Sequence, residues 1–173
     1  MYTRVLLGNL SVEKIFLNKN KKLSGSHIDN LARQYLWRIA EDFGHGTGHG
    51  VGHFLNVHEG PHGISPRSTI PLQANMIVTN EPGYYLKDHF GIRIENILLI
   101  RQHINMKDFL YFENVTQVFY DTNLIDKSLL SKEMIDHINT YHDSIYRTLQ
   151  KNLKIFKDEF DSLEYLKRKT KYI

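Results

Sequence analysis

Cysteine is absent from the sequence. Disulfides, thiolate zinc sites and thiol nucleophiles are therefore excluded, and a reducing compartment such as the cytoplasm is the expected setting. There is one tryptophan, and all four prolines (Pro61, Pro66, Pro71, Pro82) fall in a single stretch. No apolar run approaches the roughly 20 residues that span a bilayer. The opening residues Met1 to Gly8 carry too short an apolar run for a secretion signal. Charge of one sign is also scarce: 22 Lys and Arg against 19 Asp and Glu leave a net +3. The small basic clusters at Lys19, Lys21 and Lys22 and at Lys167, Arg168, Lys169 and Lys171 have no interleaved aromatics of a base-stacking surface. Neither nucleic acid nor membrane is expected as a partner. No phosphate-cradling G-x-x-x-x-G-K is present, and no Ser, His and Asp arrangement stands out.

What remains is a chain of 173 residues, 41% hydrophobic and 24% charged, which fits one ordinary domain or part of a larger one. Histidine and glycine dominate its first half. Five of ten histidines (His45, His49, His53, His58, His62) and seven of eleven glycines lie between Gly44 and Gly63.

Apolar spacing predicts a helix over residues 3 to 17, in spite of Gly8. A second helix is expected from a Ser26 cap with Asp29 three residues on, through the stripe Ile28, Leu31, Ala32, Tyr35, Leu36, Ile39 and Ala40, to a stop at Gly44. Strands are expected at Phe54 to His58, Met76 to Glu81, Gly91 to Ile100 and Val115 to Tyr120. Helix returns from Ser131 with Met134, Ile138, Tyr141 and Ile145 in register, and a last helix is expected from Phe156 to Lys167. The fold class is α+β, with a mostly antiparallel sheet between helices.

Alternating glycines from Gly44 to Gly52 cannot hold a stable helix, so they suit an extended strand with His45, His49 and His53 on one face. Glu81 ends an apolar strand. Glu95 lies two residues beyond Arg93, with Ile92 and Ile94 on the opposite face. Charged side chains facing an apolar interior need a partner or a metal. Two glutamates with one or two histidines make an oxygen-and-nitrogen metal site, and metal-assisted hydrolysis is the enzyme class these residue types favour. They do not specify the substrate.

The run His45-Gly-Thr-Gly-His49-Gly-Val-Gly-His-Phe-Leu-Asn-Val-His58-Glu-Gly-Pro, then Asn80-Glu81-Pro-Gly-Tyr-Tyr and Gly91-Ile-Arg-Ile-Glu95-Asn, resembles the Xaa-Pro aminopeptidases (aminopeptidase P) of the pita-bread metallopeptidases. The larger cytosolic type is the nearest in character. The resemblance implies the C-terminal part of a pita-bread fold, with residues 1 to 125 in the catalytic domain and 126 to 173 as a helical extension packed on it. It implies two divalent metal ions, usually manganese, and removal of the residue ahead of proline in peptides with proline at position two. His49, Glu81 and Glu95 correspond to metal ligands. Glu95 would bridge both ions, and Glu81 would also take the proton of the attacking water. His45 and His58 correspond to histidines that position substrate or move protons, and Arg93 to an arginine supporting the site. His53 and His62 match no family role.

The family site has two further ligands, aspartates on a strand ahead of the segment that Tyr2 to Gly8 resembles. Asp29 and Asp42 lie in the wrong context to replace them. The expectation is an incomplete catalytic domain, inactive alone, whose exposed edges are covered by oligomerisation or by the missing N-terminal portion. Two other readings are a non-catalytic pita-bread binding module and a sister peptidase, either prolidase or methionine aminopeptidase.

Overall fold

Gly8 decides how closely the first two helices meet. In the computed structural model, which describes residues 1–153 and 159–173, α1 (Tyr2–Glu13) packs on α2 (Asp29–Trp37). A β-carbon on Gly8 would collide with the Ala32 carbonyl. The glycine that weakens α1 in isolation therefore lets the two backbones touch. Val5, Leu6, Leu10 and Val12 of α1 and Ala32 and Leu36 of α2 are fully buried in that contact region. Each large aliphatic side chain contributes about 1.5–3 kcal/mol by leaving water.

Both helices are shorter than expected. α1 stops at Glu13, and Leu17–Asn18 forms a short strand, β1. Ser26 is not the cap of α2. The turn ahead of it, Gly25–His27, is closed from Ser24, whose N–H donates to His27 Nδ1 (3.1 Å). At the other end Ala40, with φ of 57°, supplies the stop assigned to Gly44. The Ala40 N–H reaches the Trp37 carbonyl and the Glu41 N–H reaches the Leu36 carbonyl, both at 3.1 Å. That pair of bonds is the Schellman closure, here with alanine at the left-handed position. Ile39 and Ala40 consequently leave the stripe and are exposed.

Seven further strands follow: β2 (Gly48–His49), β3 (Gly63–Ile64), β4 (Ile77–Asn80), β5 (Gly83–Leu86), β6 (Phe90–Arg93), β7 (Asn96–Gln102) and β8 (Phe109–Asn114). All named pairs are antiparallel. They make a four-stranded sheet in the order β1-β8-β7-β4 and two hairpin-like pairs, β2 with β3 and β5 with β6. The β4–β7 ladder ends on the pair Asn80 and Asn96, and the site is built on that end.

Three strand expectations need correction. Phe54 to His58 is an exposed loop, not a strand. Its apolar side chains have no neighbouring sheet; Leu55 is 89% exposed. Gly91 to Ile100 is broken between β6 and β7, because Ile94 and Glu95 pair with neither strand. Val115 to Tyr120 is not a strand either, and β8 precedes it. Thr116 Oγ1 accepts the Ile97 N–H (2.8 Å), so a side chain closes the ladder where the strand was expected to begin.

The chain divides into two units, Met1–Thr116 and Gln117–Ile173. The second is helical, with α3 (Lys132–Leu153) and α4 (Glu159–Lys169). Ile138, Tyr141, His142 and Ile145 are the buried stripe of α3. The expected start of the last helix at Phe156 lies outside the described residues. No helix among the described residues is long and apolar enough to cross a membrane.

Candidate metal centre

Strand register brings the two acids together. Glu81 follows Asn80 and Glu95 precedes Asn96, so both leave the same end of the β4–β7 ladder. The β5–β6 hairpin occupies the residues between them and returns Arg93 opposite Gly83.

His49 comes from a different element. A β-carbon on Gly48 would strike the Thr79 carbonyl, so only glycine allows β2 to press against β4 at this point. The His49 N–H then donates to Thr79 Oγ1 (3.0 Å), and that hydroxyl donates to Glu81 Oε1 (3.0 Å). Thr79 thus aligns a histidine and a carboxylate at once, a role nothing in its sequence context announces. Ligand atoms of His49, Glu81 and Glu95 lie within 4.8 Å of one another.

Hydrogen bonding fixes how His49 is presented. Its Nδ1 lies 2.8 Å from the Gly50 carbonyl. A carbonyl can only accept, so Nδ1 carries a proton and, in the neutral ring, Nε2 is the nitrogen left to bind a cation. Nε2 faces Glu81 Oε1 at 3.2 Å. That distance calls for a shared cation between them, either a proton or a metal ion. With Glu95 alongside, the donor set of one imidazole and two carboxylates fits a divalent ion of the nitrogen- and oxygen-binding kind. The other ring N–H of His49 is given to a carbonyl, as in histidines that bind metals.

Arg93 flanks this cluster. Its Nη1 lies 3.4 Å from Glu81 Oε2, and its Nε donates to the Tyr85 hydroxyl (2.7 Å). The guanidinium is held above its ordinary pKa by the Tyr85 hydroxyl first, with Glu81 and Glu95 adding to the effect. Tyr85 in turn lies 2.8 Å from His45 Nε2. His45 Nδ1 contacts the Gly46 carbonyl (2.8 Å), so by the same reasoning Nε2 accepts the Tyr85 proton. His45, Tyr85, Arg93 and Glu81 form one connected chain. The tyrosine appears in the Asn80-Glu81-Pro-Gly-Tyr-Tyr motif, but spacing alone gave it no role.

The loop that carries His45 is anchored from α2. Arg33 is 5% exposed and Asp29 3%. Arg33 Nε and Nη2 engage both Asp29 oxygens (2.7 and 3.2 Å), Nη1 donates to Asp42 Oδ1 and the Phe43 carbonyl, and Nη2 donates to the His45 carbonyl (2.6 Å). Burial works against the charge, yet bonds to Asp29 and Asp42 outweigh it and hold the Arg33 pKa above its usual value. The Thr47 hydroxyl donates to Asp29 Oδ1 (2.7 Å), and the Thr47 carbonyl accepts the Glu81 N–H (2.7 Å). Asp29 and Asp42 are therefore partners of an arginine. Asp42 lies beyond the end of α2, not on it.

The remaining histidines separate clearly. The His58 ring centroid is 4.2 Å from that of His49, which brings the exposed loop back to the cluster. His62 Nε2 contacts the Ile77 carbonyl (2.7 Å), so it pins the loop to β4. His53, expected on the face of His45 and His49, is exposed in the loop because the strand ends at His49.

Residues 1–102 match the model of metallopeptidase family M24, and residues 108–173 match the model of the C-terminal region of peptidase M24. The chain is 44% identical over 177 residues to a protein of Pyrenophora tritici-repentis named as an Xaa-Pro aminopeptidase P, covering 98% of this chain and 29% of that protein. It is 44% identical over 172 residues to a Saccharomyces cerevisiae protein named as an Xaa-Pro aminopeptidase, covering 98% and 22%. The crystal structure of X-prolyl aminopeptidase from Caenorhabditis elegans, described as a cytosolic enzyme with a di-nuclear active site, matches with a TM-score of 0.92 at 40% identity, over 99% of this chain and 28% of that one. Prolidase from Pyrococcus furiosus matches with a TM-score of 0.58 at 27% identity, over 69% and 32%. The chain thus spans less than a third of the length of these relatives. The α+β pita-bread architecture is the one they share.

Proposed function

The chain belongs to metallopeptidase family M24, and from that premise we propose that it supplies part of the active site of an Xaa-Pro aminopeptidase, which releases the N-terminal residue from peptides with proline at position two. The observation that carries the reading is His49 Nε2 set 3.2 Å from Glu81 Oε1, with a Glu95 oxygen in the same cluster. The relatives that align with nearly the whole chain at 40–44% identity carry the name Xaa-Pro or X-prolyl aminopeptidase, which supports that reading over a prolidase.

His49, Glu81 and Glu95 would hold divalent ions, manganese by family resemblance. Such ions, when bound, lower the pKa of a water nucleophile and polarise the scissile carbonyl. Glu81 takes the proton of the attacking water as its oxygen bonds to the Xaa-Pro carbonyl carbon. When the C–N bond breaks, that proton passes to the proline nitrogen. Arg93 orients Glu81 through the contact of its Nη1 with Oε2. His45 and His58 bind and orient the peptide around a proline that offers no amide N–H. Only His49, Glu81 and Glu95 gather as ligands among the described residues, so on this reading a dinuclear centre draws further ligands from outside this segment. The cytosolic relative supports a cytoplasmic setting.

The test is hydrolysis of an Xaa-Pro-Pro peptide in manganese(II). This chain would be compared with one extended upstream through the portion its relatives carry. Activity confined to the extended chain and lost in His49→Ala is expected. Activity in the short chain would refute the missing-ligand argument. No activity in either would favour a binding module, and turnover of Xaa-Pro dipeptides only would favour prolidase.

A further inference from the structure

Asn9 is fully buried on α1 and belongs to none of the sequence motifs. Its Nδ2 donates to the carbonyl of Asn80 (2.8 Å) and to the carbonyl of Ile94 (3.2 Å). These are the residues immediately before Glu81 and Glu95. Two carbonyls on one nitrogen fix the orientation of the carboxamide, because only the NH2 end can serve both. The other end, Oδ1, accepts from Asn96 Nδ2 (3.3 Å), and Asn80 Nδ2 donates back to the Asn9 carbonyl (2.8 Å).

The position matters because the β4–β7 ladder stops at Asn80 and Asn96. Pairing resumes only at Gly83 and Arg93, so Glu81 and Glu95 sit in the step between two ladders. The bond from the Ile94 N–H to the Pro82 carbonyl crosses that step at 3.3 Å. Asn9 adds a side-chain tie across it, holding the backbone just ahead of each acid.

We propose that Asn9 is a positioning residue for the metal centre, setting the separation of Glu81 and Glu95 from the backbone side. The proposal rests on the reading of His49, Glu81 and Glu95 as ligands. It places the precision of the site in a helix that carries none of the three.

Manganese(II) titration of the full-length gene product, followed by the paramagnetic resonance of free ion, tests it alongside urea unfolding in chelator. Asn9→Ala should weaken manganese affinity by about 10- to 100-fold, the range for groups that orient ligands. Leu17→Ala, on the opposite edge of the sheet, should lower the unfolding midpoint while leaving affinity within about twofold of wild type, since sites that share no partners act independently. Asn9→Asp keeps the size but loses the two-proton donor, and should also weaken binding if Asn9→Ala does not fold. Wild-type affinity in both Asn9 variants, or a loss no greater than that of Leu17→Ala, would overturn the inference and leave the metal reading intact. Wild type binding no more manganese than His49→Ala would end both.

Discussion

The two units of the chain bury polar groups in very different ways. In Met1–Thr116 the buried polar residues include Asn9, Asp29, Arg33, Thr47, Thr79, Asn80, Glu81 and Asn96, nearly all joined in the network around the candidate metal centre. Among the described residues of Gln117–Ile173, only His142 and Thr170 are buried and polar. Thr170 satisfies itself on the Leu166 carbonyl (2.8 Å). His142 accepts the Tyr120 N–H at Nε2 (3.1 Å), while its Nδ1 has no hydrogen-bond partner. Burial pushes its pKa below the ordinary imidazole value, and the nearby Lys171 backbone opposes this only in part. His49 and His142 are the same residue type with opposite roles. One gives its Nδ1 proton to a carbonyl and turns Nε2 toward carboxylates; the other is kept neutral as packing.

Removing a charge from the first unit should break it most severely. Arg33→Met leaves Asp29 buried and unpaired, which costs about 3–5 kcal/mol for a buried pair reduced to one partner, measurable as a fall in the urea midpoint. A loss below about 1 kcal/mol would mean that the α2 network holds nothing in place.

The second unit should reveal itself through pH. The folded His142 pKa lies below the unfolded value of about 6.5. As pH falls through that value the unfolded chain takes up a proton that the folded chain does not, so stability decreases on acidification and is regained above it. The urea midpoint of wild type should therefore fall more steeply than that of His142→Gln between pH 7.5 and 5.5. Parallel slopes would contradict a neutral buried histidine.

The smallest effect belongs to His53. It is exposed in the loop beyond β2, so His53→Ala should change stability by less than about 0.5 kcal/mol and leave peptide hydrolysis by the upstream-extended chain at its unmutated rate. A tenfold loss of hydrolysis would instead return His53 to the face it was expected to share with His49.

Much of the site was legible because its residues announce themselves. Glu81 and Glu95 each interrupt an apolar run, and the glycines around His49 mark a close backbone approach. Asn9, Arg33 and Thr79 were not legible. Asn9 meets Asn80 across 71 positions and Ile94 across 85, and no local period reports a contact of that range. α2 was recognisable from its stripe, but its end was not, since an alanine took the left-handed turn usually left to glycine. Phe54-Leu-Asn-Val-His58 reads as a strand by residue type, yet no strand among the described residues pairs with it. Strand propensity describes a fit to a pleated surface, and there the surface is missing.

The central claim is that His49, and not merely a buried histidine, is configured to hold a cation. The direct measurement is the metal content of the purified full-length gene product by emission spectrometry, in wild type, His49→Ala and His142→Gln. The account predicts that His49→Ala loses at least one bound divalent ion per chain while His142→Gln keeps the wild-type content. Full metal content in His49→Ala would contradict it.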